Sequence, residues 1–314
     1  YLLEHKELCK LLDCQAMALC RNMGAMHKER LPFLELCTLS KPYPTNKILD
    51  IIATECKELG QEMFLIGGCV RDFLLGTESL DIDCCMETDP YLFVEHLCRK
   101  YGGSSESHSS FGAVHWNAPS GEVIDLTQTR TEVYPQKAHL PKISPADLAT
   151  DLLRRDFTIN AMALPLRTER KDRLLDPFQG QSDLRQKILR TLHPLSFWDD
   201  PTRIFRGARY ASRYELQCSE MTAEAIQFAL QDCKLGTDIS WQRIGNELER
   251  IFQEQDPISA WHFLEKWTLL EHWFPSWQGA LPYLIQVQET TELDQIDRQE
   301  AFWSINRPKG FLSV

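Results

Sequence analysis

The sequence predicts an α+β protein in which a domain built on a mixed sheet is followed by an entirely helical part. Helix and strand signals alternate from about residue 46 to residue 185, around a pair of closely spaced aspartates. After about residue 186, apolar residues recur at three- and four-residue spacing, which is typical of helices. With 314 residues, the chain is long enough for two or three structural units and a substantial core.

A turn of two glycines joins the first clear strand of the mixed domain to a helix. Residues 64–66 form an apolar run that breaks at Gly67 and Gly68 and resumes as a helix-like segment. Glycine lets the backbone approach a phosphate closely, and the N–H groups at the start of a helix favour anions. Gly67 and Gly68 are therefore candidate phosphate-binding residues.

Two carboxylates, one residue apart, follow this helix. Asp81 and Asp83 flank Ile82, and they share one face of the predicted strand because successive side chains point to opposite faces. Adjacent carboxylates repel each other unless a cation lies between them. Phosphate-binding glycines beside a Mg²⁺-binding acid pair indicate a site for nucleotidyl transfer. The alternative is an ordinary strand–turn–helix with acidic surface residues.

A helix and a hairpin are predicted next. The pair Asp89-Pro90 predicts the start of the helix, and Gly102-Gly103 predicts its end. The strand that contains Asp125 is expected to pair with residues 111–116, because the intervening turn at 117–121 is rich in helix and strand breakers. Asp125 is a candidate third catalytic carboxylate, and a surface position at the end of a strand is the alternative.

A polar cluster lies in an otherwise apolar segment after residue 150. Within seven residues it contains Arg154, Arg155, Asp156 and Asn160. Arginine offers forked donors to a phosphate, and Asp and Asn side chains can hold ribose hydroxyls. The pattern fits a structural ion-pair cluster as well as a ligand contact. The preceding segment, 130–145, contains three prolines and is predicted to be mobile. Arg130 and Glu132 are predicted to be surface residues, and a functional role in this segment is the alternative.

A basic helix is predicted after residue 200. Asp199 or Asp200 is predicted to be the N-cap of this helix, and Pro201 its first residue. The arginines that recur at every third position are Arg203, Arg206 and Arg209. The apolar residues expected to be packed on the other side are Ile204, Phe205, Ala208 and Ala211. Such a stripe suits a polyphosphate or an RNA backbone, and a solvated charged face is the alternative.

Together these segments resemble class II tRNA nucleotidyltransferases, the family that contains CCA-adding enzymes and bacterial poly(A) polymerases. The matching motifs are residues 67–72 with 81–83, residues 154–160, residues 199–203, a connecting segment at 175–184 and a later helix motif at 243–248. The resemblance covers roughly residues 46–252. In the later motif, Arg243 and Glu247 are four residues apart and are predicted to form a structural pair.

The resemblance implies a polymerase-β-like palm with a mixed sheet at 46–185. It also implies a helical neck with a nucleotide-reading helix at 186–240 and a helical body at 241–314, which is short relative to the family. Residues 1–45 match nothing in the family and are an N-terminal extension or the end of a preceding domain. Because the chain begins with Tyr1, we expect it to be a fragment or a processed form.

The resemblance also implies roles for individual residues. Asp81 and Asp83 would hold two Mg²⁺ ions, and Asp125 is the candidate third carboxylate. The predicted nucleotide-binding residues are Gly67, Gly68, Arg71, Arg155, Asp156, Asn160, Asp200, Arg203, Arg206 and Arg209. Asp200 and Arg203 would read the base as a pair, because cytosine and adenine both present an amine donor next to an acceptor, and uracil and guanine do not.

The predicted reaction is template-independent addition of CMP, AMP or both, from CTP and ATP, to the 3′ end of tRNA, with release of pyrophosphate. The alternatives are a poly(A) polymerase that acts on other RNAs, and a catalytically inactive RNA-binding protein on the same scaffold. Arg213 and Lys234 are candidates for contacts to the RNA backbone, with solvated surface charge as the alternative for Lys234. The motifs leave open which nucleotides are added, and the oligomeric state.

The composition limits the partners and the compartment. A net charge of −11 argues against a general nucleic-acid-binding protein, although 34 Lys and Arg residues allow a local basic surface. The eleven cysteines are scattered without C-x-x-C spacing, which predicts reduced thiols in the cytoplasm and argues against structural zinc. The sequence contains neither an 18-residue apolar run nor a signal-peptide pattern, so no contact with a membrane is expected.

Overall fold

The computed structural model of the chain describes residues 36–38, 46–77, 82–108, 112–166 and 173–275. Asp81 lies outside the described residues, as does nearly all of the predicted N-terminal extension. The described residues divide into two compact units. A sheet-containing unit comprises those up to Val133 together with Lys142–Asp183, and a helical unit comprises Tyr134–Pro141 together with those from Leu184 onward.

The sheet-containing unit is built on a mixed sheet. Its strands are β1 (Leu36–Thr38), β2 (Met63–Ile66), β3 (Ile82–Met86), β4 (Ser104–His108), β5 (Ala113–Asn117), β6 (Val123–Gln128), β7 (Arg130–Val133), β8 (Lys142–Pro145), β9 (Ala163–Pro165) and β10 (Arg173–Leu175). Among the described residues, eight strands form one sheet in the order β1-β10-β9-β2-β3-β6-β5-β4. Strands β3 and β6 are parallel, and the other pairs in this sheet are antiparallel. The mixed sheet predicted from the sequence is therefore confirmed.

The central strands bury one or both faces, as their sequences predict. Cys84 and Cys85 of β3 are each at most 1% exposed, and Trp116 and Ile124 face each other across β5 and β6 with no exposure. The predicted hairpin around residues 117–121 is confirmed, because β5 pairs antiparallel with β6. The polar side chains of these strands therefore point away from this core, toward the other face.

Among its described residues, the sheet-containing unit also contains five helices. They are α1 (Lys47–Glu58), α2 (Gly68–Leu75), α3 (Pro90–Tyr101), α4 (Leu148–Leu153) and α5 (Gly180–Gln186), with a 3₁₀ turn at Thr158–Asn160. The predicted bounds of α3 are confirmed, because the Asp89 side chain accepts from the backbone N–H of Tyr91 and Gly102 ends the helix. Buried Glu55 of α1 accepts hydrogen bonds from Lys100 and Tyr101 of α3.

The segment predicted to be mobile forms an antiparallel hairpin, and its mobility stays a prediction. Strand β7 pairs with β8 in register, from Arg130 opposite Pro145 to Val133 opposite Lys142. The proline that lies within β8 is its last residue, Pro145, so ladder pairing is retained. The tip of the hairpin, 134–141, belongs to the helical unit.

The helices of the helical unit are α6 (Ser196–Asp199), α7 (Thr202–Tyr214), α8 (Glu220–Asp232), α9 (Trp241–Phe252), α10 (Pro257–Lys266) and α11 (Leu269–Trp273). Of these, α7, α8 and α9 were predicted from the sequence. The short strands β11 (Ile188–Leu189) and β12 (Gln217–Cys218) pair in parallel, so the prediction that this part is entirely helical is wrong. The apolar side of α7 is buried as predicted, with Ile204, Phe205, Ala208 and Ala211 all unexposed. Trp261, Trp267 and Trp273 are also buried, so they contribute to the core of this unit.

Candidate active site

The two-glycine turn has a backbone that only glycine adopts without strain. Gly67 has φ of 70° and ψ of −129°, and α2 begins at the next residue. A Cβ atom on Gly67 would lie 3.0 Å from Nη1 of Arg155. The turn therefore lies directly against the arginine of the second predicted motif, at the start of a helix, which is an arrangement suited to phosphate.

Two carboxylates share one face of the sheet next to this turn. Asp83 of β3 and Asp125 of β6 are register partners in parallel strands, so their side chains project to the same side. The thiol of Cys69 in α2 donates to the Asp83 carbonyl oxygen at 3.5 Å, which places the start of α2 beside the acidic pair. Burial raises the pKa of the Cys69 thiol to about 11, so this thiol stays protonated. His115 of β5 contacts Asp125 through Nδ1 and Oδ1.

The donor set on this face fits a magnesium ion. Carboxylate oxygens are the ligands that Mg²⁺ prefers, and the Asp125 side chain is 38% exposed, so a partly hydrated ion can reach it. The described residues contain no group of three His, Cys, Asp or Glu side chains arranged to hold a metal, and Asp81 lies outside them. The roles of Asp81, Asp83 and Asp125 as metal ligands accordingly stay predictions.

A buried network joins the glycine motif to the Arg-Arg-Asp motif. Arg71 is 3% exposed, and its Nη1 donates to Asn160 Oδ1 at 2.5 Å while its Nε donates to Asp72 Oδ1 at 2.9 Å. Asn160 in turn donates to Asp156 Oδ1 at 3.0 Å. The structure thus brings together Arg71, Asp156 and Asn160, three of the predicted nucleotide-binding residues. Direct contacts from these buried groups to a nucleotide stay predictions.

Asp151 is the centre of a second buried network, and no role was predicted for it from the sequence. Its side chain is 1% exposed and binds Arg154 and Arg155, with Arg155 Nη2 at 2.8 Å from Oδ2. Burial by itself would raise the pKa of Asp151, but the charges of Arg155 and Arg154 lower it. Asp151 therefore stays ionised and holds Arg155 beside the Gly67 turn. The i,i+3 and i,i+4 spacing to the two arginines was the signal in the sequence.

Glu132 was predicted to be a surface residue, and this prediction is wrong. Its side chain is 7% exposed, and Oε1 accepts from Arg154 Nη1 at 2.8 Å and from Arg130 Nη2 at 2.9 Å. Arg130 itself is only 20% exposed, and its backbone N–H donates to Asp151. A β-strand whose charged residues face α4 was not evident from a proline-rich sequence. This network ties β7 to the arginine motif.

In the helical unit, Asp200 is held by two other residues. Its Oδ1 accepts from the backbone N–H and hydroxyl of Thr202, at the start of α7, and from Arg243 Nη2 at 2.7 Å. The reading of the base by Asp200 and Arg203 stays a prediction. Arg203 is 6% exposed, and its Nη1 donates to Ser196 Oγ at 2.8 Å. The predicted pair of Arg243 with Glu247 is wrong, since Arg243 turns to Asp200.

The arginine stripe of α7 is partly neutralised by acids that come from elsewhere in the helical unit. Glu254 accepts from Arg209 Nε at 2.7 Å and from Arg213 Nη2 at 2.6 Å, and it is 6% exposed on its side chain. Arg206 is half-buried. Lys234 is exposed, which fits a solvated surface charge, and its contact with the RNA backbone stays a prediction. The sequence of α7 alone predicted a basic stripe, because the spacing of residues within one helix does not show acidic partners that lie far away in the sequence.

Comparisons with known proteins agree with this geometry. The family profile described as "Poly A polymerase head domain" matches residues 63–190, which contain the glycine turn, the Asp83–Asp125 pair and both buried networks. The fold and the site thus define a head domain of the poly(A) polymerase type.

Three proteins with assigned names show which members of this class the chain is similar to. The chain is 32% identical over 284 residues to the A-adding tRNA nucleotidyltransferase of Halalkalibacterium halodurans, with 88% of this chain and 64% of the relative covered. It is 36% identical over 206 residues to the CC-adding tRNA nucleotidyltransferase of Deinococcus radiodurans, with 66% and 54% covered. A solved complex of a CCA-adding enzyme with ATP is similar at a TM-score of 0.68 and 29% identity, with 82% and 62% covered.

The chain belongs to the class II tRNA nucleotidyltransferase family. It spans less than two thirds of the length of each of these three relatives, at 64%, 54% and 62%. Within the described residues, none of the helices is long and apolar enough to cross a membrane. None of the cysteines in that part of the chain forms a disulfide.

Proposed function

We propose that this protein is a template-independent RNA nucleotidyltransferase, which adds CMP, AMP or both to the 3′ end of tRNA. The observation that carries the proposal is the pair of carboxylates, Asp83 and Asp125, in register on one face beside the Gly67 turn. The names of the relatives support the same reaction, because they add A, CC or CCA to tRNA. The Asp83–Asp125 face would be the place of transfer, and the glycine turn would hold the triphosphate.

In the proposed reaction, the 3′-oxygen of the RNA attacks the α-phosphorus of CTP or ATP. A new phosphodiester bond forms, the bond between the α-phosphorus and its bridging oxygen breaks, and pyrophosphate leaves while the hydroxyl proton passes to solvent. Mg²⁺ held by Asp83, with Asp81 and Asp125 as further ligands, would lower the pKa of the hydroxyl and neutralise the triphosphate. Side chains and backbone groups of this chain would hold the RNA 3′-oxygen and the triphosphate in position for this reaction.

The phosphates would be held by the start of α2 and by Arg155. The N–H groups at a helix N-terminus and a guanidinium provide directed donors to phosphate oxygens. Asp151 keeps Arg155 oriented toward the glycine turn, since Arg155 Nη2 donates to it and a Cβ on Gly67 would meet Arg155 Nη1. Asp156 and Asn160 would bind the ribose. Asn160 donates to Asp156 and accepts from Arg71, which fixes its side chain.

The base would be read by the side chains of the helical unit. The side chain of Asp200 would accept from the exocyclic amine of cytosine or adenine, and Arg203 would donate to the adjacent ring acceptor. Arg206 and Arg209 would complete this pocket. We propose that the chain is divided into a palm at 46–185, a neck at 186–240 and a body at 241–314. We also propose a cytoplasmic location, since the cysteines in the described part of the chain are free thiols, as is usual in a reducing compartment.

The test is incubation of the protein with a tRNA that lacks its CCA end and with each nucleoside triphosphate singly, followed by sequencing of the product. An unstructured RNA of equal length competes in the same reaction at fixed salt. We expect C or A to be added to the tRNA alone, and binding to weaken by roughly tenfold or more between about 50 and 200 mM salt. Equal extension of the unstructured RNA would favour a poly(A) polymerase, and no extension of either would contradict the proposal.

A further inference from the structure

Arg243 connects the predicted base-reading aspartate to the tip of the β7–β8 hairpin. Its Nη2 donates to Asp200 Oδ1 at 2.7 Å, and its Nη1 donates to the carbonyl oxygen of Ala138 at 2.6 Å. Both distances are typical of strong hydrogen bonds from a charged donor. A planar guanidinium that binds two acceptors fixes both of them relative to its own plane. Asp200 is therefore held from α9 as well as from Thr202 of α7.

The backbone at the tip is itself held in an unfavourable conformation. Ala138 has φ of 58°, in the left-handed region that an alanine rarely adopts, and it is 2% exposed. Its N–H donates to the carbonyl oxygen of Trp198 at 3.1 Å. The neighbouring Lys137 donates to the carbonyl oxygen of Asp232 at 2.6 Å and pairs with Asp238 at 3.1 Å. Strained backbone persists where its surroundings over-determine it, so the tip presents a fixed acceptor to Arg243.

We infer that Arg243 is a positioning residue for nucleotide selection, and that it acts by orienting the Asp200 carboxylate from the fixed hairpin tip. The inference rests on the proposed function and concerns its specificity. A carboxylate discriminates an amine from a carbonyl only where its oxygens are aimed at that position, because a rotated carboxylate leaves the preferred base unpaired. With Oδ1 held by Thr202 and Arg243, the plane of the carboxylate is set, and with it the direction in which Oδ2 points.

A merely structural role for Arg243 predicts a different outcome. If Arg243 only stabilised α9 and the hairpin tip, its loss would lower stability and would weaken the binding of every nucleotide alike. If it orients Asp200, its loss changes the ratio of affinities for CTP and UTP. The contribution of Arg243 to that ratio should also vanish once the Asp200 carboxylate is removed, since coupled residues are not additive.

The experiment measures equilibrium binding of CTP, ATP and UTP to the full chain, without RNA, by quenching of tryptophan fluorescence. The variants are Arg243→Ala, Arg243→Lys, Asp200→Asn and the double variant Asp200→Asn with Arg243→Ala. The control is Lys266→Ala, which removes a cation of the same unit whose Nζ lies 3.3 Å from Gln217 Oε1. Thermal unfolding of each variant is measured in parallel.

We expect Arg243→Ala to reduce the preference for CTP over UTP by about tenfold, as for a lost hydrogen bond to a charged group. Arg243→Lys, which keeps the charge but cannot bridge both acceptors, should retain part of the preference. In the Asp200→Asn background, removal of Arg243 should have no further effect on the ratio. Lys266→Ala should behave as the wild type.

Two results would overturn the inference while leaving the proposed function intact. One is an unchanged ratio of CTP to UTP affinity in Arg243→Ala, including the case in which the affinity for all nucleotides falls equally. The other is an undiminished effect of Arg243→Ala on that ratio in the Asp200→Asn background. If the wild type binds CTP and UTP equally and adds neither C nor A to tRNA, the proposed function fails together with the inference.

Discussion

Replacement of Asp151 by alanine tests the buried network that holds the arginine motif. The Asp151 side chain is 1% exposed, and its two partners, Arg154 and Arg155, are 18% and 14% exposed. The substitution removes the carboxylate that both guanidinium groups share, and of the two only Arg154 keeps the ion pair with Glu132 as described above. Removal of one partner from a buried ion pair typically costs about 3–5 kcal/mol. We therefore expect Asp151→Ala to lower the free energy of unfolding by about this amount.

The assay is urea unfolding of the full chain, with Asp147→Ala as the matched control. Asp147 caps the same helix, where its side chain accepts from the backbone N–H of Thr150 at 2.8 Å, and loss of such a cap costs about 1 kcal/mol. Nucleotide binding should also fall in Asp151→Ala, because Arg155 loses the group that orients it. A loss in Asp151→Ala no larger than that in Asp147→Ala would refute the reasoning.

Three further predictions concern other sites in the chain. Hydrogen bonds and nearby charge, acting against burial, lower the pKa of Glu55 from 4.5 to about 2, so its stabilising contribution is present above about pH 4.5 and is lost as the pH falls toward 2. Glu55→Gln should therefore weaken the pH dependence of the unfolding midpoint in that range; an unchanged profile would contradict this. Gly67→Ala should weaken CTP binding more than Gly60→Ala, because both glycines have positive φ but only the first would place a Cβ 3.0 Å from another residue; equal binding would contradict it. Glu254→Ala should cost about 1–3 kcal/mol in urea unfolding, because it removes the largely buried carboxylate that accepts from both Arg209 and Arg213, whereas exposed Glu249→Ala should be near neutral.

The parts of the fold that were predicted from the sequence are those with local signals. Apolar periodicity located α8 and α9, and the caps at Asp89 and Gly102 gave the bounds of α3. The breaker-rich turn at 117–121 predicted that the Asp125 strand pairs with the strand before it. These features depend on residues within one or two turns of each other, so a single sequence contains enough information to find them.

The parts that were missed depend on residues distant in sequence. Arg243 lies 43 positions after Asp200, and Arg209 lies 45 positions before Glu254, so neither partner could be found from spacing. Glu132 was placed on the surface because prolines dominate its neighbourhood, although α4 covers it in the fold. A charged residue's partner is decided by packing, and local sequence indicates only that a partner is needed.

The most direct test of the central claim is incorporation of labelled CMP or AMP into a tRNA lacking its 3′ end, by the wild type and by Asp83→Asn. Asp83 is partly exposed and lies in register with Asp125, so the substitution should leave the fold and the unfolding midpoint unchanged. We predict that the wild type incorporates the label in the presence of Mg²⁺. In Asp83→Asn, incorporation should fall by several orders of magnitude, as expected when metal-assisted stabilisation of charge is lost. Incorporation by Asp83→Asn within about tenfold of the wild type would contradict the assignment of this face as the site of transfer.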